Sequence, residues 1–148
     1  MLANLYEREK DYQQAEFYYK EALKRNPEFV LAANNLAFLY ADKGDSKNIK
    51  EAKKLIEKVL KKYPKEATFW DTAGWVYYRL KQYDKAISHL KKAIQIAPSA
   101  PTYHYHLGMV YKAKGNLNLA KKELKKAIES KRNFREKSLA METYKEIR

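Results

Sequence analysis

A pattern of about 34 residues recurs along this chain, and each copy contains two stretches of helical periodicity. In the clearest copy, apolar residues fall three and four positions apart from Ala67 to Leu80 and again from Tyr83 to Ala97, before Pro98. Residues at these intervals share one face of a helix, so the copy predicts two amphipathic helices. The turn between them is so short that we expect them to pack antiparallel. Gly74 and Ala86 provide the close approach, since neither has a bulky side chain.

The same anchors recur before and after this copy and divide the whole chain. A fourth copy follows at the same spacing, and the second copy has three extra residues within Ala41 to Lys50, where we expect a longer turn. We predict a partial repeat over 1–29 made of two helices, full repeats over 30–66, 67–100 and 101–134, and a capping helix over 134–147. This division predicts an all-α array of about nine helices without a sheet.

The anchors of the clearest copy carry a resemblance to a known family. They are Trp70, Ala73, Gly74, Tyr77, Tyr83, Ala86, Leu90, Ala93 and Pro98. Their spacing resembles the tetratricopeptide repeat, whose signature is W-x2-L-G-x2-Y…A-x3-F…P. The resemblance implies antiparallel helix pairs stacked into a right-handed superhelix, whose first helices line a concave groove. It also implies that this groove binds peptides or partner helices.

The composition argues against catalysis and against a metal site. The chain has no cysteine, which removes disulfides, thiolate nucleophiles and cysteine-ligated zinc. His104 and His106 are two positions apart, so on a helix they point to different faces, and no serine, histidine and acid stand in a pattern that predicts convergence. We therefore predict no enzyme activity, no metal and no cofactor.

The location of the protein in the cell does not follow from the sequence. No run of about 18 apolar residues exists, and the amino terminus lacks the regions of a signal peptide, so the chain reads as soluble with its compartment unknown. The first predicted repeat lacks the residues with which the other repeats begin, because Met1 falls within its first helix. We therefore expect the chain to be a piece of a longer array.

The net charge of +13 raises the alternative of an anionic partner. Lysine pairs such as Lys53-Lys54, Lys91-Lys92 and Lys121-Lys122 lie on the second helices, opposite the packed alanines, on the convex side. Such a surface would gain affinity for phosphates through counterion release. However, lysine predominates over arginine and no aromatic residues are interleaved, so nucleic acid is the less favoured partner.

The first helices supply the candidate binding residues. Phe38, Trp75 and Met109 follow the small packing position in successive repeats, and we expect them to form an apolar ridge along the groove. Trp75 lies roughly 140° around its helix from Trp70, which predicts that Trp75 is not needed for packing and is the central binding residue. The alternative is that the ridge packs only against the adjacent repeat. The full candidate set is Asn35, Phe38, Asp42, Asp71, Thr72, Trp75, Tyr78, Arg79, Tyr105, His106, Met109 and Lys112.

These observations predict a non-catalytic scaffold that binds a protein or peptide in its concave groove. The first alternative is self-assembly, in which the terminal faces of one copy dock onto another to form a homo-oligomer. The second alternative is binding of nucleic acid or an anionic surface by the convex lysines.

Overall fold

The computed structural model describes residues 2–147, with side chains described from residue 10 onward. This part of the chain is entirely helical, without a strand. Its eight helices are α1 (Leu2–Arg25), α2 (Val30–Lys43), α3 (Ser46–Lys62), α4 (Ala67–Arg79), α5 (Tyr83–Ile96), α6 (Pro101–Lys114), α7 (Leu117–Glu129) and α8 (Lys137–Glu146).

The helices pack as consecutive pairs. The pairs α2–α3, α4–α5 and α6–α7 form the repeats, α1 packs on α2, and α8 packs on α7. Neighbouring first helices also touch, since α2 contacts α4 and α4 contacts α6. The all-α repeat array predicted from the sequence is confirmed.

Two glycines allow the close packing within a repeat. A Cβ placed on Gly74 would stand 2.6 Å from Cγ of Leu90, and one on Gly108 would stand 2.8 Å from Cγ of Leu124. Both leucines are completely buried. The two helices of each of these pairs can therefore approach only because the first helix has no side chain at this position.

The first repeat differs from the expectation of two short helices. α1 runs without a break from Leu2 to Arg25, so the described residues contain eight helices where the sequence predicts about nine. The segment Glu9-Lys10-Asp11, where the sequence predicts the turn, has neither glycine nor proline. Nothing in that segment interrupts helical hydrogen bonding, and the helix continues through it.

The three extra residues of the second repeat lengthen a helix. α3 has 17 residues, whereas α5 has 14 and α7 has 13. The turn itself is only Gly44 and Asp45, and Oδ1 of Asp45 accepts a hydrogen bond of 2.9 Å from the backbone N–H of Asn48. This N-cap starts α3 early, so the expected long turn is replaced by additional helix.

Candidate binding groove

The concave face is formed by α2, α4 and α6, and its floor is an aromatic cluster. The Trp75 ring stacks on His106 at a centroid distance of 4.2 Å and on Tyr78 at 4.6 Å. Tyr105 lies 6.5 Å from Trp75, and Phe38 lies 6.3 Å from His106. The structure therefore brings together residues of three repeats that the sequence predicted to share one face.

Trp75 is part of this floor and does not project from it. Only 8% of the residue is exposed, whereas Trp70, expected to be the packed tryptophan, is only half-buried. The angle of roughly 140° between Trp70 and Trp75 takes account of a single helix. On the concave side, however, the first helices of neighbouring repeats lie against each other. A side chain that points into the groove from α4 therefore meets α6, and the expectation that Trp75 is free of packing is wrong.

Buried polar groups lie beside the aromatic floor. His106 Nδ1 and Asp71 Oδ1 are 2.7 Å apart, and both side chains are buried, as is Thr72. The carboxylate is the acceptor, so the imidazole N–H at Nδ1 donates. Asp71, Thr72 and His106 are thus internal groups that shape the floor, and they are not available to hydrogen-bond a bound backbone.

Arg79 also has an internal role. Its guanidinium donates to the carbonyl oxygens of Ala41 and Gly44, the latter at 3.3 Å. These carbonyls lie at the carboxyl end of α2, where backbone acceptors have no partner within the helix and a cation is favourable. Arg79, a member of the candidate set, therefore joins α4 to the end of α2.

The accessible part of the groove is its rim. Tyr105 is buried, Asn35 is exposed, and the remaining members of the candidate set are half-buried: Phe38, Asp42, Tyr78, Met109 and Lys112. Charges of opposite sign stand at the two sides, with Asp42 at the end of α2 and Lys112 at the end of α6. This rim, defined by these six accessible residues, combines half-exposed apolar side chains with an acid and a base.

Residues of the carboxyl-terminal region complete the groove, and the sequence reasoning missed them. Nη2 of Arg135 lies 3.4 Å from Oδ2 of Asp42, the Phe134 ring lies 6.2 Å from that of Tyr105, and Nζ of Lys112 lies 3.6 Å from Oε2 of Glu146. The sequence predicts that Phe134 begins the capping helix, but α8 begins at Lys137. The available signal was the missing proline, since Arg132 stands where the other repeats have proline.

Tyr105 lies close to these carboxyl-terminal residues and is buried. Burial, followed by the nearby carboxylate of Glu136, raises the pKa of Tyr105 to about 12, although Arg135 opposes the shift. The Tyr105 hydroxyl is therefore neutral across the physiological range and acts here as a packed, uncharged group.

The other histidines bind neighbouring side chains or backbone. His104 Nδ1 lies 2.7 Å from Oε2 of Glu123, and its Nε2 lies 3.0 Å from the carbonyl oxygen of Pro98. His89 Nδ1 lies 2.7 Å from the carbonyl oxygen of Lys85. In the part of the chain that the structure describes, no three histidine, aspartate or glutamate side chains converge on a point where a metal ion could bind.

The convex lysines are exposed except for Lys53, which is half-buried, and several lie close to glutamates. Lys58 and Lys62 both lie within 4 Å of Glu28, at 3.7 and 2.8 Å, and Lys126 lies 3.6 Å from Glu123. These pairs lower the positive charge that the convex face presents. None of the helices within the described residues is long and apolar enough to cross a membrane.

Comparison with protein families gives one consistent match. Models described as tetratricopeptide repeat match residues 7–75 and 101–134, and one described as TPR repeat matches residues 74–115. A TPR repeat-containing protein of Methanocaldococcus jannaschii, MJ1428, is 31% identical over 113 residues, which are 76% of this chain and 19% of that protein. This chain spans about a fifth of the length of the curated relatives that it matches.

Solved structures show the same architecture. MamA from Desulfovibrio magneticus RS-1 superposes with a TM-score of 0.67 and 28% identity, over 86% of this chain and 68% of that one. TTC0263, a thermophilic TPR protein of Thermus thermophilus, superposes with a TM-score of 0.76 over 99% of this chain and 77% of that one. Its identity of 22% makes this second likeness one of fold alone.

Proposed function

Because the chain belongs to the tetratricopeptide repeat family, we propose that it is a non-catalytic scaffold that holds a segment of a partner protein in its concave groove. One observation carries this proposal. On the rim, Phe38, Tyr78 and Met109 are half-exposed, and Asp42 and Lys112 form ion pairs with Arg135 and Glu146, so a bound segment would find apolar contacts together with ion pairs whose partners it could replace. Interfaces of this kind combine an apolar core with a polar edge.

The buried floor supports the rim. Trp75 and His106 hold Tyr78 and Phe38 in place through ring contacts, and the Asp71–His106 hydrogen bond fixes the imidazole. Side chains held in this way lose little conformational freedom when a partner binds, so a groove that is already ordered binds at a lower entropic cost.

A peptide selection tests this function. Peptides selected from a displayed library against the wild-type chain are then measured against Asn35→Arg/Lys112→Glu, which changes the rim. A matched variant, Ser88→Arg/Lys122→Glu, makes the same changes of charge at exposed residues of the convex face. We expect the rim variant to lose at least about tenfold in affinity and the convex variant to lose about twofold or less. Failure to select any peptide, or equal loss in both variants, contradicts groove binding.

Self-assembly is the second candidate, and a specific pair of residues on α1 favours it. Phe17 and Tyr18 are 59% and 65% exposed, with their rings in an edge-to-face contact at 5.7 Å. In the later repeats, the position of Phe17, two residues after the packed alanine, holds Lys54, Ser88 and Lys122. An exposed phenylalanine where the other repeats are polar, with the exposed Tyr18 beside it, indicates a surface that a second copy covers.

Light scattering across a wide range of concentration tests assembly. If copies dock head to tail, Phe17→Ser/Tyr18→Ser should remain monomeric at concentrations where the wild type associates. A second variant, Leu139→Ser/Met141→Ser, changes an exposed apolar pair on α8. For a head-to-tail contact that uses α8, each variant alone is monomeric but a mixture of the two forms dimers, because each supplies the face that the other lacks. A wild type that stays monomeric throughout contradicts this candidate.

A further inference from the structure

The loop between α7 and α8 is longer than its counterparts. Each of the three earlier connections from a second helix to the next first helix has four residues, 26–29, 63–66 and 97–100, whereas this one spans the seven residues 130–136. It also lacks the proline of the other three. Four residues are enough to connect one repeat to the next, so the last three residues of this loop, Phe134, Arg135 and Glu136, are not needed for the connection.

These three residues, which we term the plug, lie over the groove. Phe134 packs on the buried cluster beside Tyr105, and Arg135 pairs at 3.4 Å with Asp42, which precedes it by 93 residues in the sequence. Nε of Arg135 also forms an ion pair with Oε1 of Glu136 at 3.2 Å, so the guanidinium bridges two carboxylates. The plug thus connects the last repeat to the end of α2, across the concave face.

The plug is held by contacts that a competitor could replace. The Arg135 side chain remains 71% exposed although it has two acidic partners. An ion pair so open to water contributes little to stability, because solvent screens it and the long side chain loses conformational freedom. Phe134 is only half-buried, so its contact with Tyr105 is also partial.

We propose that the plug is a built-in occupant of the groove, and that the groove takes partner segments with an aromatic residue directly followed by an arginine. This inference rests on the proposed function and names the chemistry of the partner. The aromatic ring would pack on Tyr105 in place of Phe134, and the guanidinium would pair with Asp42 in place of Arg135. Because the plug is tethered, it competes at a high effective concentration, so a partner binds the closed groove more weakly than the vacated one.

Fluorescence anisotropy with a labelled peptide of residues 131–138, KRNFREKS, tests the proposal. The probe is measured against the wild type and against Phe134→Ala/Arg135→Ala, in which the plug has lost both contacts. We expect the vacated variant to bind the probe at least about tenfold more tightly than the wild type. Adding Asp42→Asn should reverse this gain, whereas adding Lys54→Glu on the convex face should not.

The controls separate this inference from groove binding itself. A probe with serine in place of both Phe134 and Arg135 should not bind. If the vacated variant does not fold, Arg135→Ala alone keeps the Phe134 contact and should still gain about threefold. Equal affinity of the probe for the wild type and the vacated variant overturns the proposal that the plug occupies the groove. A vacated variant that dimerises shows that a second copy is the occupant, and this result also overturns the proposal. If the probe fails while library peptides still bind the rim, only this inference is wrong; if no peptide binds, groove binding is wrong as well.

Discussion

His106 Nδ1 donates a hydrogen bond of 2.7 Å to Asp71 Oδ1 between two repeats, at a point where His106 is 1% exposed and Asp71 is 5% exposed. One partner comes from α4 and the other from α6, so this bond couples the third repeat to the fourth. Buried polar groups are costly when left without a partner, and here each satisfies the other.

The first prediction concerns this pair. Asp71→Ala should lower the free energy of unfolding by about 2 kcal/mol, because the imidazole N–H is left buried without an acceptor. A double-mutant cycle with His106→Ala should give a coupling free energy of about 1 kcal/mol or more, measured by chemical denaturation. Lys54→Ala, at an exposed position of α3, serves as the control and should change stability by less than about 0.5 kcal/mol. Strict additivity of Asp71→Ala and His106→Ala would show that the bond does not couple the repeats.

The second prediction ranks the two tryptophans. Trp75→Ala should destabilise the chain by about 3 kcal/mol or more, since it leaves a cavity in the aromatic floor. Trp70→Ala should cost less, because Trp70 is half-buried and its main polar contact is a hydrogen bond of 2.7 Å from Nε1 to the carbonyl oxygen of Pro64. Urea denaturation of both variants measures the order. A smaller loss for Trp75→Ala than for Trp70→Ala would restore the interpretation of Trp75 as a free groove residue.

The third prediction concerns the close approach at Gly74. Alanine there should lower stability by about 1 kcal/mol, although alanine favours a helix by about 1 kcal/mol, since a Cβ would overlap Leu90 at a cost of about 2 kcal/mol. Combining Gly74→Ala with Leu90→Ala removes the overlap. In the Leu90→Ala background we therefore expect Gly74→Ala to be neutral or stabilising, and thermal unfolding of the four chains checks this. The same loss in both backgrounds would rule out steric overlap as the cause.

The fourth prediction is a pH dependence at His104 and Glu123. The hydrogen bond with Glu123 raises the pKa of His104 above its ordinary value near 6.5, although burial opposes this. The stability that the folded chain gains from this raised pKa is fully present below pH 6.5 and is lost as the pH rises through the raised pKa. Burial would raise the pKa of Glu123, but its hydrogen bond with His104 and the charge of Lys126 together lower it, so that contribution is lost as the pH falls below about 4.5.

The stabilisation by this pair should therefore be greatest between about pH 4.5 and 6.5. We expect the difference in melting temperature between wild type and His104→Gln to be larger at pH 5.5 than at pH 8, because glutamine can hydrogen-bond but cannot be charged. His89→Gln is the control, since burial lowers the pKa of His89 and its partner is a backbone carbonyl. Its difference in melting temperature from the wild type should not be larger at pH 5.5 than at pH 8. A difference for His104→Gln that does not vary with pH would show that the imidazolium form does not contribute.

Local spacing was sufficient to predict the helix pairs and their tight contacts. The close approach predicted for Gly74 and Ala86 is present, since a Cβ on Gly74 would stand 3.3 Å from the carbonyl oxygen of Ala86. The spacing was not sufficient at the turns. Glu9-Lys10-Asp11 and the three extra residues of the second repeat became helix, because no residue stopped helical hydrogen bonding and Asp45 capped α3 early.

The sequence predicted which residues form the candidate site, but it did not predict which of them are buried and which remain accessible. Asn35, Phe38, Asp42, Tyr78, Met109 and Lys112 remain accessible to different degrees, and their role in binding stays a prediction. Trp75, Asp71 and His106 are buried by contacts between repeats, and Arg79 is bound to carbonyls at the end of α2.

The sequence by itself determined which residues share a face of each helix, because that depends only on the 3.6-residue period of the backbone. It therefore determined the repeat, the helix pairs and the family. The tertiary structure alone decided which of those faces are covered, because the curvature of the array results from the packing of each repeat on the next. That curvature places Phe38 beside His106 and Asp42 within reach of Arg135, contacts between residues far apart in the chain that no local pattern encodes.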